Sequence, residues 1–257
     1  MMRLYKYVCV FMAIIVIAAA TGCTKSGENR PLGETKISRE NFLKSKRMME
    51  ETYSIEIVTY HYQDIHVEYP RIQGLIDKER EEKINSLIED HILLDIVQVD
   101  NLELMNELNM ELECRITLQS QKLLSFYCVG ESNVDGFKPY DEVHTMTLDI
   151  KEAKELKLGD FVDIDESLVE RIKRSENVTN RGLEDDPDNE ALREALLYLI
   201  QDRDTERYVE YLLKDWYGFV LEPDALVIEA SVAYYAGNYV LVRLPGRIVY
   251  DRFIFDE

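Results

Sequence analysis

Apolar and polar residues alternate over much of Tyr53–Tyr62 (YSIEIVTYHY), the period-two pattern of a half-buried strand. Ile65–Tyr69 continues the extended pattern, and Pro70 is expected to stop it. The period then lengthens. Ile84, Leu87, Ile88 and Ile92 recur three or four residues apart, which predicts a helix from Asp77 to about Val97, with Asp77 as its cap and acids in its first turns. Two strand-like runs, Leu112–Leu118 and Leu123–Val129, flank the polar turn Ser120-Gln121-Lys122, and Glu142–Ile150 reads as a third strand. Leu156–Phe161 (LKLGDF) predicts a tight turn, and Asp165 caps a short helix through Lys173. Asn177–Glu190, ending in EDDPDNE, reads as an exposed loop. Glu190–Asp215 is helical with a break near Asp202–Thr205. Tyr217–Leu221 and Ala225–Ala230 form a hairpin across Glu222-Pro223-Asp224, and Tyr239–Leu244 is a last strong strand. Strands and helices are interspersed without regular βαβ alternation. That pattern implies an α+β fold, mainly antiparallel sheet with packed helices, in two small intertwined or tandem subdomains over residues 51–135 and 136–257.

The N-terminal segment has a different pattern. Arg3 and Lys6 precede a nearly unbroken apolar run, Tyr7–Ala20, which ends in Ala20-Thr21-Gly22-Cys23. A positive start, a short apolar stretch and small residues at its end define a signal peptide over residues 1–22. The run is short for a membrane span, which takes about 20 apolar residues. The cysteine at the cleavage point resembles that of a bacterial lipoprotein signal, in which Cys23 receives the lipid and becomes the first mature residue. The other reading is an uncleaved anchor with an incidental cysteine. Either one tethers the protein at the outer face of the cytoplasmic membrane. Residues 23–50 then read as a tether, polar over Thr24–Thr35, followed by a short helix from Ser38 through Met49.

Charge narrows the choice of partners. The chain carries −20 at pH 7, and loss of Arg3 and Lys6 with the signal takes the mature form to −22. Such a field repels nucleic acid and anionic lipid headgroups and steers cationic partners inward, although acidity also serves simply to keep a surface protein soluble. Of four cysteines, Cys9 leaves with the signal and Cys23 is the lipid site. Cys114 and Cys128 fall opposite each other when counted outward from Gln121, within disulfide reach across an antiparallel pair. An oxidising extracytoplasmic setting permits that bond; two buried free thiols or a slipped register are the alternatives.

Catalytic constellations are missing from the sequence. It holds no Gly-x-Ser-x-Gly elbow, no His-Glu-x-x-His and no phosphate-cradling glycine loop. His61 and His66, five apart near a strand end, are expected on opposite faces and so read as ordinary surface or core residues, as do His91 and His144. Asp160, Asp163 and Asp165 lack the glycine and closing Glu of a calcium loop, and caps or solvated turns explain them. The expectation is therefore a non-enzyme with no metal and no cofactor. Aromatic content is more informative, with 16 tyrosines against 8 phenylalanines. Tyr234, Tyr235 and Tyr239 surround Gly237 and are the candidate ligand-binding surface, against the plainer reading of strand packing.

Three stretches in order carry a family resemblance. They are Tyr69-Pro70-Arg71-Ile72-Gln73-Gly74 with Ile84-Asn85; Thr147-Leu148-Asp149-Ile150 leading to Leu156–Phe161; and Phe219-Val220-Leu221 to Leu226-Val227-Ile228, then Tyr234-Tyr235-Ala236-Gly237 and Leu244-Pro245. Together they resemble an extracytoplasmic tandem domain of Gram-positive bacteria, over about residues 50–250. That domain forms the outer part of RsiV-type anti-sigma factors, which are lysozyme receptors, and precedes the catalytic domain of PdaC-type peptidoglycan deacetylases. The resemblance implies a free-standing lipoprotein that binds or senses either a lysozyme-like cationic protein or peptidoglycan, or that assists peptidoglycan modification. Only Met1–Lys6 precedes the apolar run, so a sigma-binding role is not expected, and no deacetylase domain is expected. The chain departs from the family in the turn Lys151-Glu152-Ala153-Lys154, where a glycine is usual.

Overall fold

Alternation over Tyr53–Tyr62 and the extended run after it resolve into one hairpin. β1 (Ser54–Tyr62) and β2 (Ile65–Gln73) pair antiparallel across a two-residue turn at Gln63–Asp64. The structure is a computed structural model that describes residues 52–97, 108–134, 137–180, 189–202, 205–232 and 238–256. The signal segment, Cys23, the tether and its short helix lie outside the described residues.

β2 does not stop at Pro70 but continues to Gln73. Ile72 turns its N–H and C=O away from β1 and gives both to the side-chain amide of Asn85, at 2.8 and 3.0 Å. Pro70, two residues earlier, has the same orientation, so its missing N–H removes no bond from the ladder. Helix α1 (Lys78–Val97) supplies that Asn85. Asp77 caps it by accepting the Arg80 N–H at 3.1 Å. Its stripe of Ile84, Ile88 and Ile92 is buried, each side chain worth roughly 2 kcal/mol of transfer free energy.

The stripe lies on a six-stranded sheet completed by β3 (Leu108–Gln119), β4 (Leu123–Val134), β5 (Tyr140–Asp149) and the short β6 (Lys154–Glu155), in the order β1-β2-β3-β4-β5-β6. Only the β2–β3 pairing in this sheet is parallel. β3 and β4 run further than their apolar cores predict, and their register sets Cys114 opposite Cys128, joined as a disulfide. After β5, Asp149 accepts the N–H groups of Lys151 and Glu152, each at 2.8 Å. Ala153 then takes a positive φ of 49°, a conformation that favours glycine.

A five-stranded second sheet contains β7 (Val178–Thr179), β8 (Phe219–Leu221), β9 (Ala225–Ser231), β10 (Tyr239–Val249) and β11 (Arg252–Phe255). β10 is central, with β9 on one side and β7 then β11 on the other. Two sequence expectations are corrected here. Val178–Thr179 is a strand rather than loop, and residues 181–188 of that stretch lie outside the described residues. β10 also continues through Pro245 to Val249 and turns back as β11. Pro245 faces the β11 side, where its C=O accepts Asp256 N–H at 3.1 Å, so the ladder to β9 needs no N–H from it.

Helices α2 (Glu166–Arg174), α3 (Asn189–Asp202) and α4 (Thr205–Leu213) cover the second sheet. The break predicted near Asp202–Thr205 separates α3 from α4. Asp165 caps α2 through Leu168 N–H at 3.1 Å. The layers are thus α1, first sheet, second sheet, and α2–α4. Tyr127, Val220, Val227, Tyr239 and Leu241 fill the seam between the sheets. Ser125 ties the seam by accepting Leu221 N–H at 2.8 Å and bonding Thr147 Oγ1 at 2.7 Å. The fold is α+β and mainly antiparallel. The described residues all belong to one compact unit. The boundary expected at 135/136 falls in the β4–β5 connection, inside the first sheet, because β5 is needed to pair with β4.

Candidate functional site

β6 pairs with β5 only at Leu148 and Asp149. Leu156 N–H extends the contact by one bond to Thr147 C=O, at 2.8 Å. Beyond that point a cleft of about 410 Å³ opens beside Val143–Thr147, with His91 of α1 at one wall, Glu155–Leu158 at its base, and Asp215–Phe219 and Glu229 opposite.

The opposite wall is built by a helix C-terminus. Past α4, Trp216 N–H bonds Tyr211 C=O at 3.1 Å and Asp215 N–H bonds Leu212 C=O at 3.2 Å, while Asp215 holds φ 53°. This is the Schellman arrangement, with aspartate at the left-handed position that glycine usually occupies. Its companion apolar contact is present too. Trp216 stacks on Tyr211 with ring centres 4.5 Å apart, and Trp216 stays 60% exposed at the cleft mouth. The Asp215 carboxylate meets Lys157 Nζ in an ion pair, and that contact raises the Lys157 pKa.

Glu229 extends from β9 into the cleft, half-buried. Burial raises its carboxyl pKa to about 7, against the opposing effect of a hydrogen bond from the Gly218 backbone. Gly218 is required by space: a Cβ there would stand 2.7 Å from Glu229 Oε2 and would run into Thr145. Tyr140, 50% exposed, has its hydroxyl pKa raised by burial and by the charges of Glu142, Glu229 and Asp141. A carboxyl whose pKa is raised to near neutrality, beside the exposed Trp216 ring in a cleft, is a combination found at ligand sites.

Tyr239, one of the tyrosines expected at the surface, is 4% exposed and packs in the seam between the sheets, so it is corrected to a core residue. Tyr234 and Tyr235 lie outside the described residues. His61 and His66 are also corrected. The Gln63–Asp64 turn folds them into a cross-strand pair on one face, with ring centres 6.1 Å apart. His91 and His144 both reach the cleft, 6.4 Å apart between ring centres. Asp160 and Asp165 serve local turns through Lys157 N–H and Leu168 N–H, and Asp163 pairs with Arg252. Trp216, Asp215 and Glu229 were missed as site residues. Trp216 is the one tryptophan of the chain, a signal that was available.

No family model matches the sequence, and no curated protein matches it. Two crystal structures of DUF3298-family proteins are similar, one from Bacteroides fragilis (TM-score 0.41) and one from Pseudomonas aeruginosa (TM-score 0.43). Each is 12% identical and aligns over 76% of this chain and 90% of its own.

Proposed function

We propose that the protein is a lipid-anchored, extracytoplasmic binding or sensing protein of the cell envelope, and that its cleft engages a cationic, lysozyme-like protein. The observation that carries this reading is the group of carboxylates Glu155, Asp215 and Glu229 around the exposed Trp216. Carboxylates take up a lysine or arginine head, and a tryptophan face adds a cation–π contact. The mature charge of −22 supplies the steering. Cys23 supplies the anchor that keeps the domain at the membrane surface.

The test is equilibrium binding of the mature chain to lysozyme at low and physiological salt, with cytochrome c as a control of similar basicity. Saturable binding to lysozyme alone at physiological salt, lost in Trp216→Ala, supports the reading. Equal binding to both proteins that vanishes with salt overturns it. One observation favours a second reading, a cell-wall glycan bound by a non-catalytic accessory protein: Trp216 and Tyr140 are both exposed, and Tyr140 is close enough to feel the charge of Glu229. Retention on purified sacculi without salt dependence selects that reading. Muropeptide release by the pure protein would instead make it a hydrolase.

A further inference from the structure

The cleft runs along an open strand edge. β6 pairs with β5 at Leu148 and Asp149, and Leu156 N–H adds one bond to Thr147 C=O. Leu156 and Leu158 then bury in the core under the second sheet and draw the chain off β5. Thr147 therefore turns its backbone groups away from β4, and the period of two gives Thr145 and Val143 the same direction. Among the described residues, none bonds the outward N–H and C=O groups of Val143 and Thr145. Both residues line the cleft.

We propose that the cleft binds an extended, basic peptide segment of a partner protein, added to β5 as a further strand beyond the end of β6. This rests on the cationic-partner reading for the charge of the ligand and specifies how its backbone is held. Val143–Thr147 spans about 13 Å at roughly 3.3 Å per residue, which matches four or five residues of an added strand. In strand addition, main-chain hydrogen bonds supply affinity and alternate side chains enter pockets on the two faces. Both faces have a wall here. His91 of α1 stands on one, and Asp215–Phe219 with Glu229 stand on the other.

Charge selects the occupant. Glu155, Asp215 and Glu229 line the cleft against one lysine, Lys157, which already pairs with Asp215. A lysine or arginine on the added strand therefore meets carboxylates on entry. A second copy of this chain is a poor donor, because each copy carries −20. β1, at the other end of the same sheet, provides an internal control. Ile72 turns from β1, so its partner Ile55, and by the period of two Thr59, turn from β2. That edge carries one carboxylate of its own, Glu56.

The experiment titrates the mature chain with a capped hexapeptide of alternating lysine and valine at physiological salt. Trp216, the one tryptophan of the chain, stands at the cleft mouth, so its fluorescence reports on this site. Saturable binding should change that signal and slow hydrogen exchange at Val143 and Thr145. Methylating the peptide's backbone nitrogens keeps its charge, removes its donors and should weaken binding about tenfold or more. Val143→Pro, which deletes one outward N–H, should weaken it several-fold, and Thr59→Pro should leave it unchanged. Circular dichroism checks both folds, and the methylated peptide makes the same test on the parent protein. No saturable binding, or slowed exchange confined to β1, would overturn the proposal. Equal binding of the plain and methylated peptides would overturn strand addition and leave the cationic-partner reading in place. A third peptide carries glutamine for lysine. If it binds as well, and methylation still weakens it, the basic occupant and the cationic-partner reading fall together while the strand edge remains the binding element.

Discussion

A buried proton couples the cleft to the stability of the whole chain. Glu229 titrates at about 7 in the folded protein against an ordinary 4.5, because burial favours its neutral form. A raised carboxyl pKa adds stability that is complete below the unfolded value and is lost as pH climbs through the folded one. The window therefore runs from about pH 4.5 to about 7, and the loss is at most on the order of 3 kcal/mol. Glu229→Gln should match the parent at pH 5 and exceed it in unfolding free energy at pH 8, as read by urea unfolding at the two pH values. A parent-like fall between those values in the variant would show that another group is responsible. Asp215 supports a second prediction at this scale. Glycine suits its φ of 53° better than aspartate does, by roughly 1 kcal/mol. Asp215→Gly should hold or raise the melting temperature while weakening capture of a cationic partner, because it relieves the backbone and removes the carboxylate that meets Lys157. Joint loss of stability and binding would count against assigning that carboxylate to the site.

Turns and cross-links carry the same logic at the level of elements. β10 and β11 join through Tyr250–Asp251, both at positive φ (48° and 67°), the conformation of a type I′ hairpin turn. Asparagine is favoured at the first of these positions, and Tyr250 is 96% exposed, so its ring contributes little packing. Tyr250→Asn should stabilise by about 0.5–1 kcal/mol, visible as a higher urea midpoint. Cys114–Cys128 closes a loop with sequence separation 14, worth about 3 kcal/mol through the unfolded chain. Cys114→Ser/Cys128→Ser should lower the urea midpoint accordingly, and intact mass with and without reduction tests the bond itself. Much at this scale was legible in the sequence. The stripe Ile84–Ile92, the cap at Asp77, the Asp165 cap and the opposition of Cys114 and Cys128 follow from period and counting. The Gln63–Asp64 turn was not legible, because no glycine or asparagine marks it. Missing that turn put His61 and His66 on opposite faces. Pro70 was read as a stop because the sequence does not reveal which edge of a strand is unpaired. The cleft was hidden for a related reason. Its residues come from α1, β5, the β6 turn, the end of α4 and β9, and only packing brings them together.

On the scale of the whole molecule, the question is how far a net charge of −20 reaches and how much of it the cleft uses. Charge spread over the surface acts through a field that screens over about 8 Å at physiological ionic strength. It guides approach but does not hold a partner in one orientation. The carboxylates beside Trp216 act at contact distance in a partly desolvated space, where screening is weak. The two contributions separate kinetically. A cationic partner should lose association rate steeply between low and physiological salt, by about tenfold or more, while its dissociation rate changes little. Glu229→Gln and Trp216→Ala should do the opposite, raising dissociation while leaving the salt dependence of association intact. Stopped-flow or surface-based kinetics with lysozyme at two salt concentrations would read both. If the cleft variants altered only association, the cleft would be part of the general acidic surface. If salt altered only dissociation, the acidity would not be steering anything, and a neutral glycan at the exposed Trp216 would become the better ligand.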